Sequence, residues 1–163
     1  MMSSKTLVIF PEKCNGCEDC EDACSQKETG INNHERSCIR VMREFEDDTF
    51  FLPMTCQQCD DPPCLAACPN SAIFRDEKLD RVLINHQKCV GCRMCVSACP
   101  FGAMGFDEDR GKSYKCDLCG GAPECVRVCI TGALVYDAPH MLHKPQMVQS
   151  AAKMACVMRS MVF

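Results

Sequence analysis

The sequence predicts an α+β protein made of two small modules of similar build, one inserted in the other, with a C-terminal helix. Three observations predict it. Of 163 residues, 18 are cysteine, above the roughly 8–10% at which composition alone marks a cysteine-built scaffold. Sixteen of these fall into four quartets, an internal repeat with spacers of unequal length. Short runs of β-branched and apolar residues stand before, between and after the quartets. With no Trp, 2 Tyr and 8 Phe, a chain of this length builds only a small oily core. Cysteine chemistry must help to hold it.

Disulfides, zinc and iron–sulfur clusters all use cysteine this heavily. The N-terminus, MMSSKTLVIFPEKC, has no basic segment followed by an apolar stretch and no twin arginine. Apolar runs do not exceed four or five residues, too short for a membrane span. A cytoplasmic protein is expected, and the reducing cytosol disfavours a disulfide scaffold. The formal charge of -4 argues against nucleic acid, which calls for a basic footprint.

The quartets are Cys14, Cys17, Cys20, Cys24; Cys56, Cys59, Cys64, Cys68; Cys89, Cys92, Cys95, Cys99; and Cys116, Cys119, Cys125, Cys129. The first and third have, or nearly have, the C-x2-C-x2-C-x3-C spacing of bacterial ferredoxins. Two C-x-x-C steps wrap a loop around one corner of a cubane, so that three thiolates reach three irons. The fourth cysteine is expected at the start of a short helix, pointing away, and so ligates a different cluster. Zinc wants two hooks closing on one tetrahedral ion, whereas here a third cysteine lies in every loop. Pro69 and Pro100, after the last cysteines of the second and third quartets, stand where ferredoxin loops carry proline. Four quartets imply four [4Fe–4S] clusters in reciprocal pairs.

Each further element follows from local pattern. Residues 6–10 before the first quartet and 133–136 after the fourth are strand-like and suit one another as outer strands. Residues 38–45 and 49–53 flank the acidic turn 46–48 as a hairpin. Residues 72–75 and 82–85 flank a charged turn between the second and third quartets, closing a ferredoxin-like module. The outer module then comprises 1–37 and 107–137, and the inserted hairpin and inner module 38–106. The competing topology pairs the quartets sequentially. Nesting is preferred because it leaves both outer strands partnered. It expects Cys14, Cys17, Cys20 with Cys129; Cys116, Cys119, Cys125 with Cys24; Cys56, Cys59, Cys64 with Cys99; and Cys89, Cys92, Cys95 with Cys68.

CQQCDDPPC, CVGCRMCVSACPFGA and KCDLC…PECVRVC…TGAL resemble the second, third and fourth motifs of the electron-transfer subunits of the dimethyl-sulfoxide-reductase type. The resemblance covers about residues 5–137. It implies nested pairing and a catalytic oxidoreductase partner carrying molybdenum or tungsten. Relatives of this type serve formate dehydrogenases, hydrogenases, carbon monoxide dehydrogenases and tungsten aldehyde oxidoreductases. Ile130 departs from the proline usual after the fourth motif, which leaves that loop less constrained.

Clusters held by four cysteines have no open site, so the chain is expected to relay single electrons rather than catalyse. Gly16, Gly91, Gly120 and Gly121 would let backbone approach the sulfurs, and Ile73, Val90, Phe101 and Met104 would keep water off them. All-cysteine ligation in a negative chain puts at least one potential below roughly −300 mV. Cys38 and Cys156 read as free thiols, and no quartet needs a histidine ligand from His34, His86, His140 or His143. Residues 138–163 read as a linker and an amphipathic helix. Met147, Ala151, Met154, Met158 and Met161 share one stripe; residues 147–163 either pack on the chain's own core or dock to a partner or a second copy, and docking is the preferred reading. A freestanding polyferredoxin carrier and a self-polymerising cluster wire are the alternatives; a carrier needs no such helix.

Overall fold

The computed structural model describes residues 5–43, 50–78 and 80–138. The expected C-terminal helix and the acidic turn at 46–48 lie outside the described residues, as do Cys156, His140 and His143.

The described chain is a small α+β fold of four two-stranded antiparallel sheets and four α-helices, with three short 3-10 helices between them. β1 (Thr6–Ile9) pairs with β8 (Leu134–Asp137), setting Thr6 opposite Asp137 and Ile9 opposite Leu134. β2 (Ile39–Met42) pairs with β3 (Leu52–Thr55), and β4 (Ile73–Asp76) with β5 (Arg81–Ile84). These sheets lie where the alternation of apolar residues places strands. A fourth sheet, β6 (Met104–Asp107) with β7 (Lys112–Lys115), was not expected, and it runs across residue 107. Its sequence hides it, because Gly105 breaks one strand's pattern and β7 is charged at both ends. Tyr114 sits directly opposite Gly105, its ring filling the place where a Cβ would stand.

The helices are α1 (Asp19–Thr29), α2 (Pro63–Ala66), α3 (Met94–Ala98) and α4 (Glu124–Val128). In each, the second residue is the third cysteine of a quartet: Cys20, Cys64, Cys95 and Cys125. α1 packs on α4, and α2 on α3.

The position of the fourth cysteine corrects the sequence reading. It ends a short helix instead of starting one. Cys99 and Cys129 are the C-terminal caps of α3 and α4, and Cys68 follows the cap of α2. The reason is the helix start at the third cysteine: four or five residues complete little more than one turn, so the fourth cysteine projects from the far end. Cys24 differs, lying inside α1, which continues to a left-handed Gly30 cap whose N–H donates to the Gln26 carbonyl at 2.9 Å.

One turn then repeats. Ser71, Gly102 and Gly132 hold φ of 48°, 61° and 67°. Each donates its N–H, at 3.3 Å, to the carbonyl of the fourth cysteine three residues earlier. A strand follows each time: β4, β6 and β8.

Two apolar cores form behind the cysteines. One gathers Ile39, Val41, Leu134 and Cys38 with Cys20, Cys24 and Cys125. The other gathers Ile73, Val82 and Met104 with Cys95. Ile39 is 1% exposed. Ile39→Ala is expected to cost about 2–5 kcal/mol, seen as a lowered anaerobic thermal midpoint. Met42→Ala, on the open end of the same strand, should change it little.

Candidate metal centres

The sixteen quartet cysteines and Cys38 are all unbridged. The quartet thiols gather in four groups, each with three from one quartet and the fourth from another. Cys56, Cys59, Cys64 and Cys99 line one largely apolar cavity. Cys68, Cys89, Cys92 and Cys95 line a second. Cys14, Cys17 and Cys129 stand around Cys20, and Cys116, Cys24 and Cys119 around Cys125.

The loops are built alike. The residue before the second cysteine is left-handed in all four: Gly16, Gln58, Gly91 and Leu118, at φ of 72°, 50°, 73° and 61°. Glycine meets this freely, whereas Gln58 and Leu118 are held there by their surroundings. Gln58 is anchored by two bonds. Its Nε2 donates to the Cys116 carbonyl at 2.8 Å, and its Oε1 accepts from the Val82 N–H at 2.8 Å. At Gly16 and Gly91 the close neighbours are Phe51 and the Gly111 carbonyl, so these glycines seat the loop on the fold.

The thiols separate into two electrostatic kinds. Burial first, then Glu21 and the charges of Cys14, Cys17 and Cys129, push the Cys20 thiol up to about 12. Burial first, then Cys116, Cys24 and Cys119, also pushes Cys125 up. Cys116 rises to about 12, chiefly by burial. Cys64 rises by burial and by Cys56, against the opposing charge of Lys115. Three of the fourth cysteines, Cys68, Cys129 and Cys24, shift the other way. Burial would raise Cys68, but the N–H groups of Ala72, Asn70, Ile73 and Ser71 outweigh it and bring the thiol down. Burial of Cys129 is likewise outweighed, by the Thr131 hydroxyl and the amides of Leu134, Ala133 and Gly132. Cys24 falls to about 6, chiefly because the Cys38 thiol donates to it. The Cys38 N–H also donates to Cys24 Sγ at 3.3 Å, and Ala72 N–H to Cys68 Sγ at 3.3 Å.

This donor set fits cubane iron–sulfur clusters. Clustered buried thiols resist ionising alone, and bound iron supplies the countercharge that lets them ionise. Backbone N–H groups aimed at sulfur are the usual second layer of such sites.

Other expectations change. Ile73 and Met104 are buried, but Val90 is 65% and Phe101 45% exposed. Val90 and Phe101 therefore line the cavity rims with an outer face in water. Ile130 is 82% exposed, so its loop is held by the Gly132 turn and not by packing of this side chain. His34 is occupied by carboxylates, with Nε2 2.6 Å from Asp22 Oδ1. Glu28, Asp117 and Cys119 have ligand atoms within 4.8 Å of one another, placing two carboxylates beside the fourth loop.

The fold and the thiol groups define a [4Fe–4S] ferredoxin-like protein of the electron-transfer type found as subunits of oxidoreductases. The chain belongs to the 4Fe-4S dicluster domain family, whose model matches residues 47–138. It is 44% identical over 123 residues to the polyferredoxin-like subunit of the aliphatic sulfonate oxidoreductase of Pyrococcus furiosus, covering 76% of this chain and 70% of that one. It is 39% identical over 130 residues to the beta subunit of the NADH-dependent phenylglyoxylate dehydrogenase of Aromatoleum evansii, covering 79% of this chain and 29% of that longer one. Among solved structures it is similar to the active-site complex BamBC of benzoyl coenzyme A reductase with 1,5 dienoyl-CoA. There the identity is 28% and the TM-score 0.46, over 81% of this chain and 74% of that one. Among the described residues, no helix is long and apolar enough to cross a membrane.

Gly91→Ala is expected to cost about 1–2 kcal/mol for the left-handed backbone, plus the collision with the Gly111 carbonyl, and to lower the iron retained per chain. Gly30→Ala, left-handed but with nothing within 4 Å of the new Cβ, should show the backbone cost without iron loss. Anaerobic melting and iron analysis compare the two.

Proposed function

We propose that each thiol group holds one [4Fe–4S] cluster and that the chain relays single electrons through all four. In this reading the modules are nested. Cys14, Cys17, Cys20 and Cys129 hold one outer cluster, and Cys116, Cys119, Cys125 and Cys24 the other. Cys56, Cys59, Cys64 and Cys99 hold one inner cluster, and Cys89, Cys92, Cys95 and Cys68 the second. The observation that carries the reading is the three-plus-one grouping of thiols. The pairing of β1 with β8 and of α1 with α4 supports the nesting.

When bound, such clusters accept and release single electrons without a vacant coordination site. The chain's own part is to aim hydrogen bonds at Cys24, Cys68 and Cys129, which favour their thiolate forms, and to line the inner cavities largely with apolar side chains. We take the partner to be a molybdenum or tungsten catalytic subunit of the aldehyde or formate class, in a cytoplasmic complex of the dimethyl-sulfoxide-reductase type. The aliphatic sulfonate oxidoreductase relative supports an oxidoreductase partner. Val90, Met94, Phe101 and Ile130, exposed beside the cysteine loops, suit the approach of another subunit.

Anaerobic analysis of the purified chain should find about sixteen iron and sixteen sulfide per chain. Half of that, or stoichiometric zinc, contradicts the reading. Cys99→Ala should perturb the cluster of Cys56, Cys59 and Cys64 and leave that of Cys89, Cys92 and Cys95 intact. Loss of the latter instead would refute the nested ligand exchange. Truncation after Asp137 should keep the clusters and abolish association with the catalytic subunit or with a second copy, as read by size exclusion. Loss of iron would show that the C-terminal segment completes the fold.

A further inference from the structure

Strand β7 addresses both inner cavities from one face. Ser113 and Lys115 are two residues apart, so both point to the same side of the strand, and both are buried. Ser113 lines the cavity of Cys68, Cys89, Cys92 and Cys95, its Oγ 3.3 Å from Cys95 Sγ. Lys115 lines the cavity of Cys56, Cys59, Cys64 and Cys99. Its Nζ donates to the Val82 carbonyl at 2.5 Å and to the Cys116 carbonyl at 2.7 Å. The ammonium thus lies at the seam between an inner cavity and the fourth cysteine loop. Among the described residues, Lys115 is the one basic or acidic side chain lining either inner cavity. Lys112 also reaches the other site's loop, bonding the Cys89 carbonyl, but from a part-exposed position on the strand, where water screens its charge.

We propose that Lys115 is a redox-tuning residue, raising the reduction potential of the cluster held by Cys56, Cys59, Cys64 and Cys99 above that of the other inner cluster. Reduction adds one negative charge to a cluster. A fixed positive charge nearby, out of water, stabilises the reduced form more than the oxidised one. Two carbonyl acceptors hold the ammonium in place, buried at the wall of this cavity. Electrons moving through the chain would rest on this cluster in preference to its inner neighbour.

The inference rests on the four-cluster reading, and the experiment separates the two. The full-length protein is titrated anaerobically, with EPR detection of each reduced cluster, alongside Lys115→Gln, Lys115→Met and Lys115→Arg. Iron and sulfide analysis of the unmodified chain tests the four clusters independently. With those present, Lys115→Gln and Lys115→Met should each make reduction of one cluster at least tenfold less favourable, a fall of 59 mV for one electron. Lys115→Arg should restore the midpoint. Midpoints unmoved in loaded neutral variants overturn the proposal. Should the neutral variants lose iron, the unmodified chain decides. Cys64→Ser and Cys95→Ser mark which EPR signal belongs to each inner cluster. The signal marked by Cys64→Ser should have the higher midpoint in the unmodified protein, and the reverse order overturns the proposal.

Discussion

Crowding of sulfur is the constraint to which the rest of the structure answers. Burial and mutual repulsion hold Cys20, Cys116 and Cys125 against ionisation in the absence of metal. Cys20 and Cys125 sit at the second position of a helix, and Cys116 opens the fourth loop. The fourth cysteines are treated differently. Each of Cys24, Cys68 and Cys129 receives hydrogen bonds that bring its thiol down. In these three groups the fold therefore favours one thiolate, and bound iron would supply the charge that admits the others. In a chain with so small an oily core, metal–sulfur bonds are expected to contribute directly to folding stability.

Polar contacts tie the second cysteine loop and β5 to the fourth loop. Gln58 bonds both Val82 and Cys116, Lys115 bonds the same two residues through their carbonyls, and the Arg81 guanidinium donates to the Asp117 carbonyl at 2.6 Å. All three tie β5 and the second cysteine loop to the fourth. Buried polar groups of this kind specify one arrangement, because each leaves an unsatisfied carbonyl or amide if the pieces shift. The carboxylates of Glu28 and Asp117 lie beside Cys119 in the same loop.

Much of this was legible in the residues. The quartets are visible as spacing, and the strands of β1, β4, β5 and β8 as clustered β-branched residues. The hairpin of β6 and β7 was not legible, because its register depends on Tyr114 covering Gly105, a contact across strands with no trace in local pattern. Nor was the burial of Lys115. Its composition reads as surface, and only the two carbonyls waiting for it explain its place. The fourth cysteines were placed at the wrong end of their helices, because spacing records separation and not where a helix begins. Val90 and Phe101 do line the cavities, but local pattern does not record how far such a residue is covered, and both keep an outer face in water.

The pairing of β1 with β8 bears on the order of events during synthesis. Thr6 meets Asp137 only after nearly all of the described chain has left the ribosome. The hairpins of β2–β3, β4–β5 and β6–β7 join neighbours and can close early, as short loops do. The first strand waits meanwhile with an open edge, and Cys14, Cys17 and Cys20 wait without Cys129 beside them. An exposed edge next to three incompletely surrounded thiols invites aggregation and oxidation. Nascent chains are thus most vulnerable at their amino terminus, and a translational pause before residue 129 would lengthen that window.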